Sequence, residues 1–292
     1  MASHPTIEDI VLAHDARNMT ALRPFLSPTF VTDAADALLG VRGRVLIVTG
    51  FYVLRVGAPE TDGPPGAAAI GRALAALGFD VTYVTDRHSR AVVASITGGA
   101  PVVEFPIADH GESALFATRL VSEQAASAVV AIERPGLLAD GTYRNYLGVD
   151  FTAFNAKTDY LFHEPVLTIG IGDGGNELGM GMLSQVIPGI PGLPKEPCVT
   201  AARHLIISSC SNWGAYGLVA ALSLRTERNL LPSVEAGRSW VETIVRAGAV
   251  EGLSGERKPW VDGRRPEEDD YCLQTLHAQL TRMQDRCRLR RE

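Results

Sequence analysis

The stretch that decides the fold is RVLIVTGFYVLRVGAPETDGPPGAAAIGRALAALGFDVTYVT, residues 44–85. Its aliphatic start, Arg44–Thr49, predicts a buried strand, and its end, Asp80–Thr85, predicts a second. Gly50–Gly63 reads as a loop, and Pro64-Pro65-Gly66 opens an alanine-rich helical pattern, with proline where a first helical turn tolerates it. A strand, a helix and another strand in this order are typical of a parallel sheet.

The same alternation continues along the chain. Further helices are predicted near Arg90–Thr97, at Ser113–Ala125, directly after Glu177 and from Ser211 onward, and further strands at Pro101–Ile107, Ala128–Ile132, Val166–Ile171 and His204–Ser208. We therefore predict an α/β fold with a mostly parallel sheet of about six strands and helices on both faces. The organisation expected is one domain overall, with a helical N-terminal flank at 1–40, an α/β core at 41–232 and a C-terminal helical extension at 233–292 packed on that core.

The composition is that of a globular protein that does not bind nucleic acid. Hydrophobic residues make up 46% of the chain and charged residues 21%, which is too apolar for a disordered protein. The formal net charge is −6, and the basic residues cluster only at Arg286–Arg291. A nucleic-acid partner is therefore not expected.

Cysteines and the N-terminus bear on the compartment. Cys198, Cys210, Cys272 and Cys287 have the spacing of neither a zinc ribbon nor a disulfide framework, so we expect reduced thiols. The first residues, MASHPTIEDIVLAHDARNM, lack the basic start and apolar stretch of a secretory signal, and no run of about 18 apolar residues occurs. The expectation is a soluble cytoplasmic protein without a membrane partner, and a homo-oligomer is compatible with this.

Polar segments follow four of the predicted strands. They are Thr61-Asp62-Gly63, Glu133-Arg134, Asp173–Glu177 and Ser211-Asn212. Ligands of open parallel sheets bind beyond the carboxyl ends of the strands, so these segments are expected to converge. This convergence favours an enzyme acting on a small molecule.

The glycine-rich segment Gly170–Gly181, GIGDGGNELGMG, is the strongest of these signals. Six glycines let the backbone approach a ligand closely, and a helix beginning near Asn176 would point free N–H groups and a positive dipole end at an anion. The alternative is a tight turn with a capping residue, but a cap needs one polar side chain and this segment has Asp173, Asn176 and Glu177.

A dinucleotide site is not favoured. Gly170, Gly172 and Gly175 satisfy GxGxxG, but Asp173 would occupy the path of the pyrophosphate, and no acidic strand end follows at the required distance. The phosphate-loop motif GxxxxGK[ST] is absent, as are HExxH and GxSxG. A small anionic substrate fits better than a nucleotide.

The other polar segments leave alternatives open. Asp62 is a candidate base or metal ligand, or the cap of the proline-led helix. Glu133 and Arg134 could bind substrate, with the guanidinium clamping a carboxylate, or Arg134 could form an internal salt bridge. Asn145 belongs either to the site or to a surface loop, and Ser211 or Asn212 caps a helix, a role compatible with ligand binding.

Together, ETDGPPGA at 60–67, ERPG with DGTYRN at 133–145, GDGGNELGMG at 172–181 and SNWGAYGL at 211–218 resemble the D-glutamate cyclase-like C-terminal domain family. The similarity extends to residues 253–263 and is that of a stand-alone bacterial-type member, without the additional N-terminal domain of vertebrate members. It implies a hydro-lyase that converts D-glutamate to 5-oxo-D-proline and water, with an acidic amino acid as the small-molecule partner.

This chemistry needs a base, an acid and groups that hold two carboxylates. We expect Asp173 and Glu177 to divide the acid and base roles, with Asp62 as a third catalytic candidate. The expected substrate-binding residues are the N–H groups of Gly174, Gly175 and Asn176 for one carboxylate, Arg134 for the other, Asp62 and Asn212 for the ammonium, and Thr61, Gly63, Glu133, Asn145 and Ser211 around them. No cofactor is evident, although Asp62, Asp173 and Glu177 would suit Mg²⁺ or Mn²⁺.

Two other functional classes remain open from the sequence. A phosphate- or nucleotide-dependent transferase could use the glycine-rich loop as an anion cradle. A non-catalytic protein that binds an acidic amino acid would need the same charged groups but not their acid and base chemistry.

Overall fold

The computed structural model describes residues 4–289, with side chains described up to Met283. Six parallel strands form the central sheet: β1 (Arg44–Thr49), β4 (Asp80–Thr85), β5 (Val102–Glu104), β6 (Ala126–Ile132), β7 (Leu167–Gly172) and β8 (His204–Ile207). Two short strands, β2 (Tyr52–Val53) and β3 (Ala58–Pro59), form an antiparallel hairpin within the predicted loop after β1. The predicted α/β class is confirmed.

Eight α-helices surround the sheet: α1 (Ile7–Val11), α2 (Phe30–Gly40), α3 (Pro64–Ala76), α4 (Arg90–Ala94), α5 (His110–Glu123), α6 (Ser211–Thr226), α7 (Val234–Arg246) and α8 (Pro266–Leu289). Short 3₁₀ helices lie at Met19–Phe25, Thr152–Phe154, Thr158–His163, Gly181–Leu183 and Ile187–Gly189. Within residues 4–289, no helix is both long enough and apolar enough to cross a membrane. The cytoplasmic location and the boundaries at residues 40 and 232 stay predictions.

Strand order determines where a ligand can bind. The sheet runs β5-β4-β1-β6-β7-β8, so the chain builds outward from β1 in one direction, returns to its other side with β6 and then builds outward again. In such doubly wound sheets a crevice opens at the carboxyl ends of the strands where the direction reverses. Here the reversal lies between β1 and β6, and the loops after them carry Asp62 and Glu133.

The two faces of the sheet bury separate cores. Val45 and Ile47 of β1 belong to the larger core. Residues of the N-terminal flank, from Ile7 on, and of the C-terminal flank, as far as Leu280, also belong to it. Leu46 and Val48, which alternate with them, belong to a smaller core with α5. Apolar strands covered on both sides are typical of parallel sheets.

Helix α6 is the central helix of the larger core. Thirteen of its residues, Ser211–Ser223, are buried, so it is apolar on nearly all sides, as a fully enclosed helix must be. It packs against α3, α2 and α8. Its first turn therefore points at the carboxyl edge of the sheet from a rigid position.

The short helix predicted after Glu177 is present only as the 3₁₀ helix Gly181–Leu183, and its expected start near Asn176 is wrong. Residues 176–178 run extended instead, because the Leu178 N–H donates to the Arg134 carbonyl at 2.7 Å and the Gly136 N–H donates to the Asn176 carbonyl at 2.9 Å. A Cβ on Gly170 would lie 2.7 Å from the Leu178 carbonyl oxygen, so glycine there lets the chain fold back over β7. The glycines serve this chain packing, and no helix dipole is directed at a ligand here.

Three cysteines, Cys198, Cys210 and Cys272, are buried free thiols. The side chain of Cys287 and the basic cluster Arg286–Arg291 lie outside the residues whose side chains are described. For these three described cysteines, the structure agrees with the prediction of reduced thiols.

Candidate active site

A cavity of about 510 Å³ opens at the carboxyl ends of β1, β6 and β7. This size is typical of small-molecule sites. What we call its inner wall carries five carboxyl groups and one guanidinium: Glu60, Glu133, Asp173, Glu177, Asp262 and Arg17. A second guanidinium, that of Arg55 in the hairpin turn, also lines the cavity. The outer wall is largely apolar, so the cavity has a charged end and an apolar mouth.

The loop after β7 is organised by its own glutamate. The Glu177 carboxylate accepts the Gly175 N–H at 2.7 Å and the Asp173 N–H at 3.3 Å. The prediction that the Gly175 N–H holds a substrate carboxylate is therefore wrong, because that donor is already used. Gly174 and Asn176 do line the cavity, and the Asn176 amide donates to the Arg144 carbonyl at 3.2 Å.

Asp173 faces a cation that the sequence did not indicate. Arg17, from the N-terminal flank, places its Nη1 2.7 Å from the Asp173 Oδ2 without the alignment of a hydrogen bond. Its other terminal nitrogen pairs with Asp262, from the C-terminal flank, and its guanidinium lies over the Tyr146 ring. The Arg17 side chain is 19% exposed, so it is accessible from the cavity.

Glu60 and Asp262 also line the cavity, although sequence reasoning did not place them there. Glu60 directly precedes the Thr61-Asp62-Gly63 motif, which was the available signal. Arg17 and Asp262 lie outside the predicted core domain. Asp262 falls within the family similarity at residues 253–263, which was its available signal, whereas no pattern around Arg17 indicates a ligand. Their contribution depends on how the flanks fold over the sheet.

Asp62 and Asn212 cap each other's helices. The Asp62 carboxylate accepts the N–H groups of Ser211 and Asn212, both at 2.9 Å, at the start of α6. The Asn212 side-chain oxygen accepts the N–H groups of Gly63 and Gly66 at 3.1 and 2.8 Å, at the start of α3. Asp62 is thus a cap for α6 and not for α3. Asn212 is fully buried, and its side-chain oxygen already accepts two N–H groups. This oxygen is therefore not available for the predicted contact with the substrate ammonium.

Glu133 takes an unusual backbone conformation at the end of β6. Its φ is 41°, a left-handed value that costs energy for a residue other than glycine and is found more often at functional sites. The Ser211 hydroxyl donates to its carboxylate at 2.5 Å. Ser211 thereby orients Glu133 toward the other acids.

The remaining predicted residues support loops around the site. The Thr61 hydroxyl donates to the Trp260 carbonyl at 2.7 Å. The Gly63 N–H donates to the side-chain oxygens of Asp62 and Asn212. The Asn145 oxygen accepts the N–H groups of Leu147 and Val149, both at 3.0 Å, and so shapes the loop at the cavity mouth. Of these three, only Asn145 lines the cavity.

The carboxylate clamp predicted for Arg134 is wrong. The side chain is completely buried and pairs with Asp86 at 2.7 Å. It also donates to the carbonyls of Gly50 and Ala156 at 2.8 and 2.9 Å and to the Thr158 hydroxyl at 3.3 Å. Every nitrogen of the guanidinium is engaged inside the protein, as the salt-bridge alternative required.

Burial raises the pKa values of acids that line the cavity and of Asp62, which lies behind that lining. The pKa of Asp173 rises to about 7 through burial, with Arg17 opposing the rise, and that of Glu177 rises to about 7 through burial and the Asp173 charge. Burial raises the pKa of Asp62 to about 6 and raises the pKa values of Glu60 and Glu133 well above their ordinary range. Acids with such values can exchange protons near neutral pH.

The same shifts carry a cost in stability. Each acid has a higher pKa folded than unfolded, so its contribution to folding stability is fully present below about pH 4. For Asp62, Asp173 and Glu177 that contribution is lost as the pH rises through about 6 to 7. Burying several acids that ionise near neutral pH therefore lowers the folding stability at that pH, a cost that is typical of functional sites.

Three of the acids are also close enough to share a cation. One oxygen each of Asp62, Glu133 and Asp173 lies within 4.8 Å of the others. Carboxylate oxygens at this spacing suit Mg²⁺ or Mn²⁺. The predicted set had Glu177 in place of Glu133, and the structure groups Glu133 with Asp62 and Asp173.

Comparison with known proteins agrees with the resemblance seen in the motifs. The sequence is 33% identical to human (Homo sapiens) D-glutamate cyclase, mitochondrial, over 198 residues, 61% of this chain and 32% of the human protein, so the chain spans about a third of that relative. A solved structure named "Putative oxidoreductase from Escherichia coli str. K-12" aligns with 65% of this chain and 72% of its own at 14% identity and a TM-score of 0.29, which is too low to carry an argument. The family model described as D-glutamate cyclase-like, C-terminal, matches residues 7–277, and the chain belongs to that family.

Proposed function

We propose that this protein is a D-glutamate cyclase, a hydro-lyase that converts D-glutamate to 5-oxo-D-proline and water. The observation that carries the proposal is the pair Asp173 and Glu177, with pKa values near 7, in one cavity beside Arg17. Membership of the D-glutamate cyclase-like family supports the same reaction. The proposed reaction uses no nucleotide. Residues 176–178 pair with residues 134–136, so the loop lacks the helix N-terminus that would bind a phosphate in the alternative, a phosphate- or nucleotide-dependent transferase.

Ring closure requires two proton transfers. The α-ammonium must lose one proton before its nitrogen attacks the γ-carboxyl carbon and a second as the lactam forms, and the departing oxygen must gain two protons to leave as water. Asp173 lies beside the Arg17 cation, which favours its ionised form, so it acts as the base. The Asp173 charge keeps Glu177 protonated, so Glu177 acts as the acid.

Arg17 takes the role that the sequence suggested for Arg134. Its Nη1 is near Asp173 without hydrogen-bond alignment, so the guanidinium can turn toward a carboxylate of the substrate. An arginine can hold a carboxylate through two parallel hydrogen bonds. The α-carboxylate of D-glutamate bound there would place the ammonium among the acids of the inner wall.

A divalent cation fits this arrangement. Asp62, Glu133 and Asp173 would hold it, and it would offset the negative charge of the acids and polarise the γ-carboxyl group.

The direct test is conversion. Purified protein is incubated with D- and L-glutamate and with both enantiomers of 5-oxoproline, with added Mg²⁺ or Mn²⁺ and after exhaustive chelation, and products are followed by chiral chromatography. We expect D-glutamate and 5-oxo-D-proline to interconvert and the L enantiomers to react poorly. Absence of conversion under every condition would reject the function, and unchanged activity after chelation would reject the cation.

Replacement of Arg17 should weaken substrate binding. Arg17→Gln is expected to raise the KM for D-glutamate about 10- to 100-fold, because a hydrogen bond between charged groups contributes about 1.5–3 kcal/mol. Arg17→Lys keeps the charge but not the fork, so its KM should rise less. Steady-state kinetics measure both, with Arg23→Gln, which breaks a more exposed ion pair on the same flank, as the control. An unchanged KM in Arg17→Gln would exclude this role.

A further inference from the structure

The mouth of the cavity has a chemistry that free glutamate does not use. Its apolar lining comes from three segments: Phe51, Val53 and Leu54 of the hairpin region, Leu147 with Val149, and Leu253, whose carbonyl accepts from the Arg55 guanidinium in the same lining. Leu147 is 80% exposed, Leu253 62% and Val149 47%. Large apolar side chains left exposed around a cavity mark a binding surface.

The cavity is also too large for one amino acid. Its volume of about 510 Å³ is in the range of roughly 300–1,000 Å³ that accommodates drug-sized ligands. Glutamate is far smaller and would bind at the acidic end. The apolar half would then hold only water, unless the substrate extends into it.

The segments around the mouth are held by hydrogen bonds, two of them to each other and the third to the neighbouring loop that contains Gly192. The Arg55 guanidinium donates to the carbonyls of Leu253 and Ser254 at 2.6 and 2.7 Å and ties that loop to the hairpin. Across the mouth, the Tyr146 hydroxyl donates to the Gly192 carbonyl. Since these segments are held in place while Leu147, Val149 and Leu253 stay exposed, the mouth is a formed surface that an extended substrate would contact.

The position of the extension follows from the chemistry proposed above. The α-amine must be free to attack, and the α-carboxylate must be free to pair with Arg17. Of the three functional groups of glutamate, only the γ-carboxyl group can carry a substituent while the α-amine and the α-carboxylate both stay free. From the acidic end, that substituent points toward the apolar mouth.

Resting on the proposed function, we infer that the cavity takes γ-D-glutamyl amides whose amine portion is apolar, with the mouth as the subsite for the leaving amine. The α-nitrogen forms a bond to the γ-carbonyl carbon, and the bond from that carbon to the amide nitrogen breaks. Two protons pass from the α-ammonium, through Asp173 and Glu177, to the departing nitrogen, one before the attack and one as the lactam forms. The products are 5-oxo-D-proline and the free ammonium form of the amine, with no co-reactant.

The inference is tested with γ-D-glutamyl-leucine, γ-D-glutamyl-glycine and D-glutamate as separate substrates of the full chain. Release of 5-oxo-D-proline and of the amino acid is measured by chromatography. We expect kcat/KM for the leucine compound to exceed that for the glycine compound by at least about tenfold, the discrimination typical of an apolar pocket. Leu147→Ser and Leu253→Ser should bring this ratio toward one, whereas Leu115→Ser, an equally exposed leucine on α5 outside the cavity, should not.

The outcomes separate the two proposals. Conversion of D-glutamate without conversion of either γ-glutamyl compound overturns the subsite and leaves the proposed function intact. Conversion of the γ-glutamyl compounds without that of D-glutamate supports the subsite and rejects free D-glutamate as the substrate. Equal kcat/KM for the leucine and glycine compounds, or a ratio unaffected by both mouth variants, also overturns the subsite.

Discussion

Asp173→Asn and Glu177→Gln are each expected to lower the turnover of D-glutamate by at least about a hundredfold. General acid and base groups contribute this much when they are correctly placed, and an amide can neither accept nor release the proton. Both variants should stay folded, because an amide of the same shape replaces a buried acid whose ionised form burial disfavours. In Glu177→Gln the single amide oxygen can accept only one of the two loop N–H groups, from Asp173 and Gly175, that the carboxylate holds. Turnover is measured at saturating substrate, and thermal unfolding is measured on the same samples.

The pH profile assigns the two roles. With one acid ionised and the other protonated in the active form, kcat/KM should follow a bell-shaped curve with apparent pKa values on either side of about 7. The residual activity of Asp173→Asn should lose the decline at low pH, and that of Glu177→Gln the decline at high pH. The reverse pattern would exchange base and acid, and wild-type turnover in both variants would reject the pair.

A matched control tests whether loss of any carboxylate has this effect. Glu112 is exposed on α5 and lies outside the cavity, so Glu112→Gln removes one negative charge without touching the site. Its turnover should equal that of the wild type. A comparable loss in Glu112→Gln would show that net charge, not the site, determines the rate.

The fold was predictable from the sequence because its strands are strongly patterned. The predicted strands Arg44–Thr49 and Asp80–Thr85 coincide with β1 and β4. Short aliphatic runs bounded by turn-forming residues are typical of buried strands, so the pattern was sufficient here. The short β5, at Val102–Glu104, was predicted too long, because its pairing with β4 ends earlier than its apolar pattern does. Local pattern thus decided which elements form, and tertiary pairing decided where they end.

The course of the glycine-rich loop was not predictable, because its partners are distant in sequence. Residues 176–178 pair with residues 134–136, and Gly179 donates its N–H to the Thr200 carbonyl at 3.1 Å. These contacts give the loop backbone partners outside any helix. Asp173, Asn176 and Glu177 nevertheless line the cavity, because proximity to a strand end depends on the strand alone.

The charge balance of the site was likewise hidden from sequence patterns. Arg17 lies 156 positions before Asp173, in a flank whose predicted role was only to pack on the core. Asp262 comes from the opposite flank and pairs with both Arg17 and Arg264. The flanks thus contribute charged groups to the cavity as well as apolar residues to the core.

Arg134 is the residue whose predicted role changed most, and its replacement should affect stability rather than binding. Arg134→Met leaves the buried Asp86 carboxylate without its partner and is expected to lower the free energy of unfolding by about 3–5 kcal/mol. Denaturant unfolding measures this loss, and Arg90→Gln, which breaks an exposed pair with Glu104, should cost less than about 1 kcal/mol.

A second variant separates loss of the ion pair from loss of packing. Arg134→Met combined with Asp86→Asn removes both charges, so part of the lost stability should return, because no unpaired charge stays buried. In folded preparations of either variant, the KM for D-glutamate should be close to that of the wild type, since the guanidinium does not line the cavity. A stable Arg134→Met with a strongly raised KM would restore the carboxylate clamp and would require Arg134 to leave Asp86 when the substrate binds.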